Sequence, residues 1–595
     1  IFSRVGGNTY RGQTIINNGI LRIRDPLSLG AGATFGTPQH NTPQAGVIVN
    51  YNSITRAAGT LQLEFTGTLG ANDPNGILLN PNQPFHPTNN PYIGFQVYNQ
   101  LLTLNGPGYG GGPGYGGIGA LSNLAGQNIW SGNITLGSPS PASGAVSIGA
   151  ESGSSLILSG VLSDPNRQPN LQKVRPGRVI LNNANTYTGG TTVLAGALNI
   201  RDSKALGTGS VEVAGGATLE MEVDSGIDGT PLRNNNRNLG FDSVVGSRAP
   251  GLQQGQEIAI SGSSGTFTLS FKGQTTAPLA YNATATDIQN ALNSLSTITA
   301  GGGSVTVTQV GSIFRVNFNG ALGGSNQPLI TASASGGVSV TISPIYGLQV
   351  ANDLSITGNG LNNTGALRSI TGINRWTGGI GTGGGSIGVE MDNRPGHPTA
   401  GPDYFTYDYS LTVTGNISGS SLTKLRPGHL ILPTGNSYSG DTNIQEGWIT
   451  IQNSNSLGQF SSTLPITQRP NVVISSGAAL HIRGGASGLT ESHNYIISGS
   501  GISHPYDKLD QNGAVLNLTG VNTLSGIIRL NGTAGIGVEQ LPPPANQQSQ
   551  LRLTGYTWDN GNTIGSLLKL GSQRLVIQSP GTYRGDVTVA EGVLL

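Results

Sequence analysis

The chain has 595 residues, of which 95 are glycine, and only 10% are charged, with 29 Lys and Arg against 28 Asp and Glu. A net charge of +1 leaves no basic face for nucleic acid, and no apolar run nears the ~18 residues of a membrane-spanning helix. There is no cysteine and there are two methionines, which excludes a disulfide scaffold, a zinc–thiolate site and a cysteine nucleophile and leans toward an extracellular protein.

In chain order, one short unit keeps returning. Asn8-Thr-Tyr10-Arg-Gly12-Gln-Thr14 leads into an apolar-alternating run at 19–23 that closes on Leu29-Gly30. A Pro/Asn-rich loop takes up about 66–94, and a strand resumes at 95–97. A Gly-rich loop follows with Tyr109 and Tyr115, then residues 119–132 with Trp130, then 171–181 with Lys173 and Arg175. The first unit then recurs as Asn185-Thr-Tyr187-Thr-Gly189-Gly-Thr191, with a strand at 196–200 and Leu206-Gly207. After a strand at 216–221 the periodicity changes, and residues 251–344 read as an inserted ββαββ domain. Its helix, 285–295, starts at Thr284, a capping residue with Asp287 three positions on, and places Ile288, Leu292 and Leu295 on one face.

The pattern then resumes. Residues 365–378 repeat 119–132 and hold Trp376; a loop follows with Tyr404, Phe405, Tyr407 and Tyr409. Residues 422–432 repeat 171–181 and hold Lys424 and Arg426; Asn436-Ser-Tyr438-Ser-Gly440-Asp-Thr442 comes next. The third copies are 513–526, where Leu524 stands in the Trp position, and 567–577, where Lys569 is followed by Gly571. Gly581-Thr-Tyr583-Arg-Gly585-Asp-Val587 opens a fourth.

Short alternating strands bury one side chain in two, and Gly, Asn and Asp between them permit the tight corners. No such unit buries its inner face alone, but stacked units share one core. The expected fold is all-β: a right-handed parallel β-solenoid of about three modules, with one small α+β domain inserted. At roughly 20–25 residues per coil, and ~4.8 Å per coil, the rod would be on the order of 100 Å long. The expected organisation is solenoid over 1–250, inserted domain over 251–344 and solenoid again over 345–595. Ile1 is no natural start and 591–595 stop inside a motif, so a segment of a longer polypeptide is expected.

The strings at 185–200 and 205–219 resemble the autotransporter-associated β-strand repeat, also called the passenger-associated transport repeat. The resemblance implies a β-helical passenger or large bacterial surface protein, exported to the cell surface. The inserted unit resembles a small domain of such surface proteins.

No constellation of residues points to catalysis, a cofactor or a metal. Gly106-Pro-Gly-Tyr-Gly-Gly111 matches a nucleotide-loop pattern that a Gly-rich chain produces by chance, and no helix follows it. The histidines (40, 86, 397, 429, 481, 493, 504) show no ligand spacing, and among acidic residues only Asp441 and Asp586 follow the modules. Lys173, Lys424 and Lys569 read as exposed strand residues that discourage lateral pairing. Trp130 and Trp376, interchangeable with Leu524, read as packing residues, and Tyr10, Tyr187, Tyr438 and Tyr583 as a column stacked from module to module. Tyr109, Tyr115, Tyr404, Phe405, Tyr407 and Tyr409 read as loop aromatics suited to protein or sugar contact. The leading expectation is a structural segment of an extracellular surface fibre that self-associates or continues into further repeats. Alternatives are an adhesin binding a glycan or host surface, and a β-helix polysaccharide lyase or hydrolase.

Overall fold

The computed structural model describes residues 1–595 except 4–7, 9, 11, 26–27, 30–45, 66–93, 98–99, 111–116, 138–143, 165–167, 224–251, 311–312, 323–326, 392–408, 486, 505–508 and 541–548. The described residues form two compact units, one over 1–223 and 350–367, the other over 252–349 and 368–595.

In the first unit the chain winds through three parallel walls. One stacks Thr14–Ile16, Val47–Val49, Leu102–Leu104, Ile134–Leu136 and Leu162–Ser163. The second runs from Gly19–Ile23 through Ala145–Ala150 and Asn170–Val174 to Val211–Val213, and the third from Gln96–Val97 through Arg178–Leu181 to Thr218–Met221. Leu171 pairs with Thr191 and Thr191 with Val211, so a plain coil closes in 20 residues. Val211 then pairs directly with Leu354, so the ladder closes over everything inserted between them. This is a parallel β-solenoid, as the repeats predict.

Strict alternation holds on the first wall, where Val47–Val49 and Leu102–Leu104 bury both flanks and half-bury the centre. It fails elsewhere. Ala145–Ala150, Ala197–Ile200 and Thr218–Met221 are buried along their whole length. The outward polar residues there are covered by pairing between coils: Asn199 Nδ2 donates to Glu220 and Glu222, and Arg178 reaches Glu220 at 2.9 Å.

The recurring Asn-x-Tyr-x-Gly-x-Thr unit is a clamp across coils. Asn185 accepts from Leu162 N on the coil before and donates to Ala205 O on the coil after; Asn436 does the same between Ile417 N and Ser456 O. The tyrosine hydroxyl meets the Thr hydroxyl four residues on at 2.6 Å in three copies, at Tyr10, Tyr187 and Tyr438. Gly189 and Gly440 let the backbone pass the neighbouring coil, since a Cβ would lie 2.1 Å from Pro169 O or 2.2 Å from Ser420 O. The tyrosines do not form the expected column. Tyr10 and Tyr187 are separated by the coils of Val47–Val49, Leu102–Leu104, Ile134–Leu136 and Leu162–Ser163, each about 4.8 Å thick.

The second unit repeats this plan. One wall runs from Ile373–Trp376 through His429–Leu432, Gly447–Ile451, Ala478–Arg483 and Val515–Thr519 to Val587–Val589. A second runs from Ser386–Val389 through Leu422–Leu425 and Asn494–Gly499 to Thr557–Asp559. The long strand Ile528–Val538 turns a corner and pairs in both walls. A third wall stacks Val521–Leu524, Gln550–Leu553 and Arg574–Ile577.

Residues 252–347 are antiparallel instead. Leu252–Ser261 lies between Ile313–Asn319 and Ser339–Gly347, and Thr266–Phe271 pairs with Thr331–Ser335. The helix Ala285–Asn293 begins at the predicted cap, with Thr284 Oγ1 accepting from Asp287 N and Asp287 accepting from Thr284 N. Ile288, Leu292, Phe267, Phe271 and Phe314 share a core.

The close pass at the clamp glycine gives a direct test. Gly440→Ala forces the backbone apart and lowers stability by about 1–3 kcal/mol, measured by chemical denaturation. Gly12→Ala, at the same motif position but with open space around its Cβ, is near neutral. Equal effects would refute the steric account.

Candidate functional site

The recurring polar residues are turned inward. Lys173, Lys424 and Lys569 are at most 1% exposed, which overturns the expectation of surface cations. Each ammonium is clipped by three carbonyls at fixed offsets. Lys173 Nζ donates to Val174 O, Arg175 O (2.6 Å) and Ala195 O (2.7 Å). Lys424 Nζ donates to Leu425 O, Arg426 O (2.6 Å) and Glu446 O, and Lys569 Nζ to Leu570 O, Gly571 O (2.6 Å) and Glu591 O. The third partner lies one coil on. Lysine supplies three donors, and the corner supplies three buried carbonyls that need them.

The clip also explains the residue two positions later. Arg175, Arg426 and Gly571 have φ of 69°, 66° and 72°, a left-handed conformation that costs an L-residue about 1–2 kcal/mol. Glycine in the third copy therefore suits the position. In the other two copies the arginine meets a carboxylate on the preceding coil: Arg175 pairs with Glu151 at 2.7 Å and Arg426 with Glu390 at 3.0 Å. Glu539 takes that place in the third copy and accepts from Ser572. A carboxylate thus does recur, in Ile148-Gly-Ala-Glu151, Ile387-Gly-Val-Glu390 and Ile536-Gly-Val-Glu539. Burial opposes ionisation of Glu390, but Arg426 and Arg368 together outweigh it and hold its carboxyl below the usual range.

Trp130 and Trp376 are fully buried, with indole N–H groups that have no hydrogen-bond partner among the described residues, and Leu524 is equally buried. They fill the core. The asparagine beside each is a bracket: Asn128, Asn374 and Asn522 accept from Phe95 N, Leu348 N and Leu489 N on the previous coil. The second unit holds a buried aromatic stack that no sequence spacing marks. His429 stacks on Trp448 at 4.9 Å, His504 meets the same indole edge-on at 5.1 Å, and His481 lies 6.1 Å from it. His429 Nε2 and Thr450 Oγ1 are 2.7 Å apart. No group of three or more metal-ligating side chains gathers among the described residues.

The outward candidates fare differently. Tyr109 is 49% exposed, while Tyr409 is buried against Ile373 and is no loop contact, because the strand beginning at Ser410 draws it in. Tyr115, Tyr404, Phe405 and Tyr407 lie outside the described residues. In the first unit, the corner between the first and second walls builds a concave site. Asn17, Asn18, Asn50, Tyr51 and Asn52 line a pocket of about 510 Å³. Tyr51 bridges to Ala58 in a small hairpin with Ile54 at its exposed tip, and the Tyr51 ring rests on Gly106, where a Cβ would come within 2.5 Å. One coil on, Tyr109 N donates to Thr60 Oγ1, which fixes this tyrosine beside the hairpin.

Two pH effects follow. Burial pulls Lys424 down to about 7, against the pull of Glu446 and Glu390. The unfolded chain keeps that proton up to an ordinary value of 10.5, so stability rises with pH between about 7 and 10.5. Lys424→Met removes its share of that rise and strands three carbonyls, lowering stability at pH 7 by on the order of 2 kcal/mol; unchanged stability at pH 7 would refute the clip, and an unchanged pH profile would refute the burial of its charge. Burial also pulls His481 down to about 3, and His429 well below 6.5. The unfolded chain takes up those protons first, so stability falls as pH drops below about 6.5, by up to about 1.4 kcal/mol per unit per histidine. His481→Gln flattens that acid limb in denaturation midpoints taken between pH 6.5 and 4.

Comparison with known proteins agrees with the geometry. The family model described as Passenger-associated-transport-repeat matches residues 5–23, 176–200 and 422–451, each of which carries a clamp and the last of which also carries the Lys424 clip. The chain is 26% identical over 499 residues to the Adhesin BmaC autotransporter of Brucella suis biovar 1 (strain 1330), covering 80% of this chain and 12% of that protein. It therefore spans about an eighth of that relative. No solved structure matches. Segments similar to the passenger-associated transport repeat are thus wound into the parallel walls of a β-solenoid of the extracellular cell surface.

Proposed function

We propose that this segment is the stiff stalk of an adhesive surface passenger and that it holds out ligand-contacting corners. The observation that carries the reading is the division of labour in the coils. The polar residues that recur are buried and engaged between coils, as at Lys173, Lys424 and Lys569, while the corners at 50–58 and 105–110 depart from the two-residue Asn17–Asn18 corner and expose Ile54 and Tyr109. The name adhesin on the relative supports it. In this reading the inserted domain at 251–344 is an appendage extruded from the coil.

An enzymatic role gains no support from the recurring carboxylates. Glu151 and Glu390 are tied to arginines and Glu539 to Ser572, so they act as struts. Lateral assembly into a fibre is a second reading, favoured by the net charge of +1, which leaves little repulsion between neighbours.

The corner exchange tests the leading reading. In the full passenger displayed on bacteria, the hairpin at 50–58 is replaced by the two-residue Asn-Asn corner that the coil before it uses at Asn17 and Asn18. Adhesion to host cells or matrix should fall several-fold with the thermal midpoint held. Full adhesion in a well-folded exchange variant would overturn the reading for this corner.

A further inference from the structure

The chain has four tryptophans. Trp130, Trp376 and Trp448 are at most 1% exposed. Trp558 is only half-buried, and it belongs to no repeated motif. It sits in Thr557–Asp559, where Thr557 points into the core and Tyr556 and Trp558 point out. Tyr556 is 46% exposed, and the two rings lie 5.7 Å apart with planes inclined by 23°. Side by side, the two outward rings make one continuous aromatic patch on the wall rather than isolated exposed side chains.

What surrounds the pair selects the ligand. Along the same wall, Asn560 Nδ2 donates to Asn531 Oδ1 and Asn531 Nδ2 donates to Ser498 Oγ, a polar ladder that climbs one rung per coil. Arg529, paired in register with Trp558 on the coil before, has its guanidinium fixed by Asn471 Oδ1 at 3.2 Å. The neighbouring carboxylate, Asp559, is neutralised by Arg584. Among the described residues, the surface thus offers two aromatic faces, amides that both donate and accept, and the Arg529 guanidinium beside a neutral Arg584–Asp559 pair. A polyanion would need more positive charge. A purely apolar partner would leave the amides unsatisfied. A sugar suits both parts: its C–H face meets the negative face of an aromatic ring, and its hydroxyls donate to and accept from amides. The rungs repeat at about 4.8 Å, close to the length of one sugar ring.

We propose that Tyr556 and Trp558, with the Asn531–Asn560 ladder, form a binding site for a neutral polysaccharide chain lying along the wall. The proposal rests on the reading of the segment as an adhesive passenger and supplies a ligand class for a part of the surface remote in sequence from the corner hairpin.

The test uses the purified 595-residue chain. In native gels cast with mannan, dextran, β-glucan or galactomannan, at least one polymer should retard the chain. The same polymer should cut acrylamide quenching about twofold, a signal that comes from Trp558 because the other three indoles are buried. Trp558→Ala should weaken retardation at least tenfold with an unchanged thermal midpoint, while Trp558→Phe keeps it within about threefold. Absence of retardation by all four polymers, or equal binding by Trp558→Ala, overturns the proposal. So does a native dimer that Trp558→Ala turns into a monomer in sedimentation, since the occupant would then be a second copy. Because the gels contain no cells, polysaccharide binding can succeed where the corner exchange leaves adhesion intact, and fail where it does not, so the two readings stand or fall separately.

Discussion

Everything in this molecule depends on the parallel backbone ladder between successive coils. The ladder satisfies strand N–H and C=O groups by itself, but it stops at each corner, where the chain turns and carbonyls are left inside without partners. The corners are where the recurring residues sit. The lysine clip gathers two carbonyls of its own turn and one from the next coil. The Asn-Tyr-Gly clamp spans a coil on either side, and the Asn bracket beside Trp130 and Trp376 ties each corner to the coil before it. Repetition of sequence is, physically, repetition of this one problem.

The solution has a price in backbone conformation. A left-handed residue must follow each lysine, and where it is arginine the strain is offset by the carbonyl clip and by an ion pair to the coil below. Such ties run along the stack and add to its stiffness. They also free the outer face: once the polar repeats are spent inside, corner length can vary without touching the core, as Val211 pairing with Leu354 shows. That separation is what a surface passenger needs, a constant shaft with changeable edges.

Legibility in the sequence followed recurrence. Strands, corners, the capped helix at Thr284 and the packing role of Trp130 and Trp376 were all readable, because each leaves a local pattern. The direction in which Lys173, Lys424 and Lys569 point was not. A charged residue in an alternating strand reads as outward, and only the three-carbonyl corner makes burial tolerable. The carboxylate series Glu151, Glu390 and Glu539 was hidden for another reason: the stretches 392–408 and 541–548 separate the last two from their lysines by unequal distances. The Ile-Gly-Ala/Val-Glu string would have exposed it. Tyr556 and Trp558 recur nowhere, so nothing in the pattern marked them.

The amino-acid sequence by itself determined that this chain is a stack of coils, where each coil turns and where foreign elements are inserted, because those features follow from the period of apolar residues and the placement of glycine. Which polar side chains face in, which carboxylate meets which arginine, and which aromatics remain in water were decided only by tertiary structure. Those contacts join residues one coil apart, and the distance along the chain between coils changes from 20 residues to more than a hundred. Spatial neighbours at a variable offset leave no fixed spacing to read.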